Sequence, residues 1–256
     1  MYSPQCSSLF VGMRPTSLSF PRFRDLKPPD LQCDLHLHTN RTDGEAQIEA
    51  ILREARNRKL ERIAFTEHVR RDSAWFHDFA REVREEALGY PELEVLVGCE
   101  TKALDTRGAV DVSEAILADC DIVLGSVHRF PDGIGGYLDY ATLTPQKLAL
   151  MEFDLAMGLL QSAHVDVLAH PGGMFARRHS ADLPGDLLRE IFSTSIERGI
   201  AIEINASYVQ DVDGMLGLLE ELNPYVSIGS DMHRIEHLGR CRDLLAARMP
   251  FVRSRD

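Results

Sequence analysis

Long apolar runs, paired cysteines and a basic surplus are all missing from this sequence. No apolar run approaches the ~18 residues that a membrane-spanning helix needs, so a bilayer is not an expected partner. The five cysteines (Cys6, Cys33, Cys99, Cys120 and Cys241) are odd in number and contain no C-x-x-C pair. That argues against a disulfide framework or a zinc knuckle and reads as reduced thiols. Basic residues number 28 against 40 acidic ones, a net charge of −12. A field of that sign repels nucleic acid and anionic membranes at long range, so nucleic acid is not an expected partner either. The apolar patch from Leu9 to Met13 is broken by Gly12 and followed by Arg14 and Pro15. It is too short for a signal-peptide core, and the expected location is the cytoplasm.

What remains is ordinary for a globular chain: 44% hydrophobic and 27% charged residues over 256 positions. A chain of that length buries roughly three quarters of its unfolded surface and needs no staple to fold. Residues 1–32 stand apart. Pro4, Pro15, Pro21, Pro28 and Pro29, with several serines and Arg14, Arg22 and Arg24, interrupt any helical or strand period. They read as a loose Pro/Ser-rich arm, the alternative being an arm packed on the base of the domain or on a neighbouring subunit. Residues 33–256 form the domain proper.

From residue 33 short apolar runs of strand length recur: 33–38, 62–68, 94–100, 121–128, 166–170, 201–205 and 226–231. Helical stripes lie between them. Ile48, Ile51, Leu52 and Ala55 follow the spacing of a buried face, as do Leu148, Met151, Leu155 and Leu159. Thr144-Pro145 offers an N-cap and a first-turn proline to the second of these. Leu187, Leu188, Ile191, Phe192 and Ser195 form a third stripe with Gly199 as its stop. Leu238, Cys241, Leu244 and Leu245 form the last. Seven strand-then-helix units imply an α/β fold with a parallel sheet and helices outside. A closed, TIM-like (β/α)7 barrel is expected over an open sheet, because polar residues of one chemical kind end nearly every strand.

Those residues carry the chemistry. His36 and His38 end the first strand, His68 the second, Glu100 the third, His128 the fourth and His170 the fifth. Asp231 and His233 close the seventh, and Asp43 lies in the turn after the first. Strand positions i and i+2 point the same way, so His36/His38 and Asp231/His233 each grip from one side. Mixed imidazole and carboxylate sets suit zinc, manganese or iron. These nine are too many for one ion and predict two or three divalent ions with a bridging carboxylate. Such clusters activate a hydroxide and clamp phosphoryl oxygens. One histidine at a strand end is ordinarily a satisfied polar residue, but the joint pattern is hard to explain as packing, since buried polar groups are costly without partners. His77, His164 and His237 fall in helical stretches and are left out. His179 falls in a loop, as a surface residue or a substrate contact.

The segments Asp34-Leu35-His36-Leu37-His38-Thr39, Thr66-Glu67-His68, Gly98-Cys99-Glu100, Gly125-Ser126-Val127-His128, Ala169-His170-Pro171 and Gly229-Ser230-Asp231-Met232-His233 resemble, in order, the motifs of the PHP (polymerase and histidinol phosphatase) family. The resemblance runs over about residues 33–246, and the histidinol-phosphatase branch is the most similar. It implies a distorted seven-stranded barrel with a trinuclear metal site. By this resemblance His36, His38, Glu100 and Asp231 hold one ion. Glu100 bridges to a second held by His128 and His170, and Asp43, His68 and His233 hold the third. Two departures stand out. Glu67 replaces a more usual Asp, and its longer arm either reaches a ligand histidine or packs differently. Asp43 stands where a histidine is usual, which favours manganese or magnesium over zinc at that site.

The expected activity is metal-dependent hydrolysis of a small phosphorylated alcohol resembling histidinol phosphate, through a metal-bridging hydroxide. Glu100, Asp231 and His233 are the expected catalytic residues. Arginine forks suit phosphate. Among Arg41, Arg70, Arg129, Arg177, Arg178 and Arg234, we rank Arg129, Arg177 and Arg178 first, with Lys102 behind them. The Gly-rich segment 131–140 reads as a lid or a long surface loop, and Glu203 and Asn205 as residues that orient ligands, contact substrate or bond neighbouring strands. The alternatives are a PHP-type phosphodiesterase, nuclease or cyclic phosphate hydrolase, an amidohydrolase, and a non-catalytic metal-binding module. An amidohydrolase usually carries a bridging lysine on the fourth strand, where this chain has His128.

Overall fold

In a computed structural model, which describes residues 18–162 and 164–249, the seven expected strands form one sheet. They are β1 (Cys33–Leu37), β2 (Arg62–His68), β3 (Glu94–Lys102), β4 (Ile122–Ser126), β5 (Val167–Leu168), β6 (Ala201–Asn205) and β7 (Val226–Gly229). They pair in chain order, all in parallel. The sheet curls until β7 meets β1. The His38 amide donates to the Met232 carbonyl at 2.9 Å and the Met232 amide to the His36 carbonyl at 3.1 Å. β1, β4, β6 and β7 are buried at every residue, as strands covered on both faces must be. The outer cover is α1 (Ile48–Asn57), α2 (Phe76–Ala87), α3 (Glu114–Asp119), α4 (Pro145–Leu159), α5 (Gly173–His179), α6 (Gly185–Arg198), α7 (Val212–Leu222) and α8 (Arg240–Arg248). The predicted (β/α)7 barrel is the observed fold.

Local chemistry explains the elements. α1 buries the expected Ile48, Ile51, Leu52 and Ala55. The Thr144 hydroxyl accepts the Lys147 amide at the start of α4, with Pro145 in its first turn. Gly199 ends α6 at φ 68°, a conformation that costs glycine least. Other expectations need correcting. β5 is two residues long, so His170 lies beyond it and not at its end. β4 stops at Ser126, two residues before His128. His164 lies in a turn after α4 and not in a helix. Arg177, Arg178 and His179 lie on α5, where a loop was expected.

The arm also differs from its first reading. Residues 18–32 are packed, with Phe23, Leu26 and Leu31 in the core. The Phe23 amide bonds the Pro224 carbonyl and the Val226 amide the Pro21 carbonyl, both at 2.9 Å, so the segment runs antiparallel to the entry of β7. That packing concerns residues 18–32 only; Cys6 and the rest of 1–17 lie outside the described residues. The four described cysteines are buried and form no disulfide among the described residues.

Two details aim residues at the mouth. β1 carries a bulge between Asp34 and Leu37, three residues against two on β2. The Thr66 hydroxyl accepts the Leu37 amide at 3.1 Å and so satisfies the irregular stretch beside His36. Asp34, fully buried, accepts the Ser230 amide at 2.8 Å and the Gly239 amide at 2.7 Å. It ties β1 to β7 and to the start of α8. Burial lifts its pKa to about 6 against those bonds.

Glu152 plays a similar part on α4. Its buried carboxylate accepts the Met174 amide at 2.9 Å and the Phe175 amide at 2.7 Å, capping the start of α5. Burial pushes its pKa from 4.5 to about 7, against the pull of those amides. Because the folded pKa is raised, the folded state holds the extra proton between pH 4.5 and 7, and stability falls as pH rises through that window. The loss is about 3 kcal/mol at neutral pH. Glu152→Gln therefore gains on the metal-free wild type by about that amount between pH 4.5 and pH 7.5 in denaturant unfolding. A difference between the two proteins that does not change with pH would contradict this role.

Candidate metal centre

Glu100 leaves β3 pointing into the barrel and is buried to 2% exposure. Its Oε2 lies 3.5 Å from His36 Nε2, 3.5 Å from His38 Nε2 and 2.8 Å from His68 Nδ1. Its Oε1 lies 3.1 Å from His128 Nε2 and 2.9 Å from His170 Nε2. One carboxylate thus faces imidazoles from β1, β2, the β4 loop and the β5 loop. On the β7 side Asp231 Oδ1 lies 3.1 Å from His38 Nε2 and 3.5 Å from His36 Nε2. Outside these, Asp43 lies 3.3 Å from both His68 Nε2 and His233 Nε2. All nine sequence-predicted ligands converge on the mouth, and His38, Asp43, His68 and His233 form one of several clusters whose donor atoms come within 4.8 Å of one another.

The donor set fits divalent cations. His36 Nε2 and His38 Nε2 approach to 3.1 Å while both face carboxylates. Glu100 Oε2 is buried with no well-aligned hydrogen bond, although His68 Nδ1 stands 2.8 Å away. Such an oxygen is expensive in a protein interior unless a charge answers it. His36, His38 and Glu100 make one nitrogen-oxygen set, His68, Glu100 and His128 a second, His38, Asp43, His68 and His233 a third, and His36, His170 and Glu203 a fourth. The electrostatics agree. Burial resists ionisation of Glu100, yet the imidazoles of His128, His36 and His68 hold its carboxyl well below the usual range. Asp231 is held down likewise, against burial, first by His36. Burial lowers His38 to about 4. His68, despite burial, rises to about 10 beside Glu100 and Asp43. Metal entering this cluster competes with protons.

Positioning groups surround the donors. Glu203 on β6 accepts from His36 Nδ1 at 2.7 Å and from the His170 amide at 2.6 Å. A carboxylate there only accepts, so it fixes the His36 ring with Nε2 toward the centre. Glu203 thus bonds a histidine ring on β1 and the backbone after β5. Asn205 instead accepts the Ser207 amide at 2.7 Å. Glu67 does not reach a histidine. It accepts the Thr39 amide at 2.6 Å and bonds the Thr42 hydroxyl, holding the loop that carries Asp43. Asp231 and His170 both adopt positive φ, 52° and 29°, a conformation that costs other residues of order 1–3 kcal/mol each.

Sequence reasoning missed Tyr208. Its hydroxyl donates to Asp231 Oδ2 at 2.8 Å and its ring lies 5.1 Å from that of His170. Burial and then Asp231 raise its pKa, so it stays a phenol. No strand or helix period marks a residue in this loop.

The mouth opens into a cavity of about 970 Å³. Arg70, Arg129, Arg177 and Lys102 line it, with Trp75, Tyr140 and Tyr208. Arg178 does not line it and donates to the Ala141 carbonyl at 3.1 Å; successive residues on α5 face different ways, so only Arg177 reaches the cavity. Arg41 pairs with Glu82 at 2.8 Å and Arg234 approaches Glu45 at 3.7 Å. His179 packs on Phe175. The glycine-rich segment is a short hairpin bridged between Pro131 and Tyr137.

The PHP domain family matches residues 34–207. The chain belongs to the PHP family. Among curated PHP relatives, a "Probable phosphatase" of Caldicellulosiruptor saccharolyticus is 25% identical over 82% of this chain and 84% of its own. A "Probable histidinol-phosphatase" of Thermotoga maritima is 26% identical over 81% of this chain and 86% of its own. A solved structure from Listeria monocytogenes, named a "putative histidinol phosphatase", superposes with a TM-score of 0.65 at 16% identity, over 81% of this chain and 97% of that one. That likeness shows the PHP fold alone. Among the described residues no helix is long and apolar enough to cross a membrane.

Gly229 tests the packing under the PHP site. A Cβ there would meet Glu203 Oε1 at 2.2 Å and His36 Cβ at 2.6 Å. Gly229→Ala should destabilise the metal-free protein by about 1–3 kcal/mol in denaturant unfolding. In Gly217→Ala the new methyl meets nothing within 4 Å, and this control should be neutral or stabilising by up to about 1 kcal/mol. Equal stabilities for the two variants would contradict the close fit.

Proposed function

We propose that this PHP protein is a metal-dependent phosphomonoesterase acting on a small phosphorylated alcohol. The observation that carries the reading is the buried Glu100 carboxylate shared by five imidazoles at the base of an arginine-lined cavity. His36, His38, Asp43, His68, Glu100, His128, His170, Asp231 and His233 would hold two or three divalent ions, manganese, zinc or iron. Ions bound there supply Lewis-acid polarisation of a phosphoryl group and neutralise its charge.

The chain's own residues do the rest. Arg129 and Arg177 receive the non-bridging phosphoryl oxygens, since a planar fork matches two of them at once. Glu203 keeps the His36 ring from turning. Tyr208 occupies Asp231 Oδ2, so that Oδ1 alone faces His36 and His38. The departing alcohol takes its proton from water, because His233 faces Asp43 through Nε2 and the Asp231 carbonyl through Nδ1. The cavity admits the ester from the strand ends, where barrels of this kind gather their chemistry. The relatives named as histidinol-phosphatases make L-histidinol phosphate one member of the substrate panel. The phosphatase reading does not depend on that ester.

The test is inorganic phosphate release from a panel of phosphomonoesters, with Mn²⁺ or Zn²⁺ and with a chelated control. Turnover abolished by chelation is the expected result. Glu100→Gln should lose at least about 10³-fold in kcat while keeping the wild-type circular dichroism spectrum. Full activity in that variant would sink the bridging role. Release only from phosphodiesters or cyclic phosphates would replace the monoesterase reading.

A further inference from the structure

We infer that the substrate carries a second anionic group besides the phosphoryl group that is hydrolysed. This rests on the phosphatase reading above and narrows its substrate class. The cavity wall is segregated by charge. Asp43 and Asp231 lie toward the β7–β1 side. Arg70 follows β2, Lys102 ends β3, Arg129 follows β4 and Arg177 follows β5, and all four cations line the same cavity. Lys102 is answered by Asp111 at 2.9 Å. The guanidinium groups of Arg70, Arg129 and Arg177 have no hydrogen-bond or ion-pair partner among the described residues; Asp111 feels Arg70 only as a more distant charge.

Elsewhere carboxylates are abundant and many arginines pair with them, although Arg56 and Arg178 take a ring and a carbonyl instead. Arg41, Arg53, Arg58, Arg62 and Arg189 are each paired within 3.0 Å. In a chain of net charge −12, three unpaired guanidinium groups around one concavity are an uncompensated concentration of charge, and such a field draws anions. A single phosphoryl group does not use them all, because the histidine-carboxylate cluster and Arg129 and Arg177 already claim its oxygens. Arg70, two residues past His68, is left for another anion.

The converse holds too. The carboxylates that line the cavity are Asp43, Glu100 and Asp231, and each is committed to histidines. None is free to receive an ammonium group. An amino-alcohol phosphate such as L-histidinol phosphate would bring its ammonium among arginines, where like charges oppose binding. A cavity of about 970 Å³ has room for an ester longer than a phosphoryl group and a short alcohol.

The experiment compares esters matched except for the second charge, using metal-loaded protein. 3-Phosphoglycerate is set against glycerol 3-phosphate for a carboxylate, and fructose 1,6-bisphosphate against fructose 1-phosphate for a phosphate. L-Histidinol phosphate and a 5′-phosphorylated oligonucleotide complete the set. In at least one pair the ester with the second anion should show kcat/KM about tenfold higher, mainly through KM. The pair that responds says whether the second anion is a carboxylate or a phosphate. Arg70→Gln should bring that ratio toward one and Arg70→Lys should restore much of it. Raising salt from about 0.05 to about 0.5 M should shrink it. Phosphate release with equal kcat/KM across both pairs, or best turnover of L-histidinol phosphate, would overturn the inference and leave the phosphatase reading standing. Best turnover of the oligonucleotide would overturn the small-molecule class. No release from any ester would overturn both readings together.

Discussion

Glu100 sets the terms for everything around it. A carboxylate buried to 2% exposure is costly unless opposite charge surrounds it, and here both oxygens are answered by histidine nitrogens from four separate strand ends. Those imidazoles crowd one another as well, with His38 and His68 ring centres 4.3 Å apart and those of His38 and His233 4.5 Å apart. Neutral rings satisfy such a carboxylate poorly and protonated rings repel each other. Cations between the donors would resolve both problems, and that is the physical logic of clustering these side chains in a PHP domain.

The barrel is organised to hold that arrangement still. Glu203 clamps His36 from β6, Tyr208 clamps Asp231 from the next loop, Glu67 holds the Asp43 loop, and Asp34 ties β1 to β7 where the sheet closes. Each positioning group is polar, most are buried, and each is satisfied by a short bond to a backbone amide or a donor residue. The left-handed Asp231 and His170 show where backbone strain is tolerated for the sake of aim. Below this layer Ile122 and Leu124, which share the Glu100 face of the sheet, are fully buried, and Ile63 and Phe65 are buried on its opposite face.

Much of this was legible before any coordinates. Residues at strand ends repeat with the strand-helix rhythm, so His36, His38, His68, Glu100, His128, His170, Asp231 and His233 could be gathered on one face without knowing distances. The positioning layer was less legible. Tyr208 sits in a loop without a period. The role of Asp34 depends on Gly239, 205 positions away in the chain. Glu152 did leave a signal, a charged residue on the stripe of Leu148 and Leu155, and its reading as a helix cap needed the fold. The stripe Phe76, Phe79, Ala80 and Val83 on α2 carries the same helical spacing. Arg177 and Arg178 could not be told apart until the segment was known to be helical, with neighbours about 100° apart and only Arg177 turned to the cavity.

The most direct test of the account is a crystal structure of the metal-loaded protein with anomalous data collected at the metal edge. The account predicts anomalous peaks on both sides of the Glu100 carboxylate, one among His36, His38 and Asp231 and another toward His128 and His170. Refined occupancy should vanish in Glu100→Gln while Glu203 still bonds His36. A metal-soaked crystal with no peak beside Glu100, and its oxygens hydrogen-bonded to protonated histidines, would contradict it.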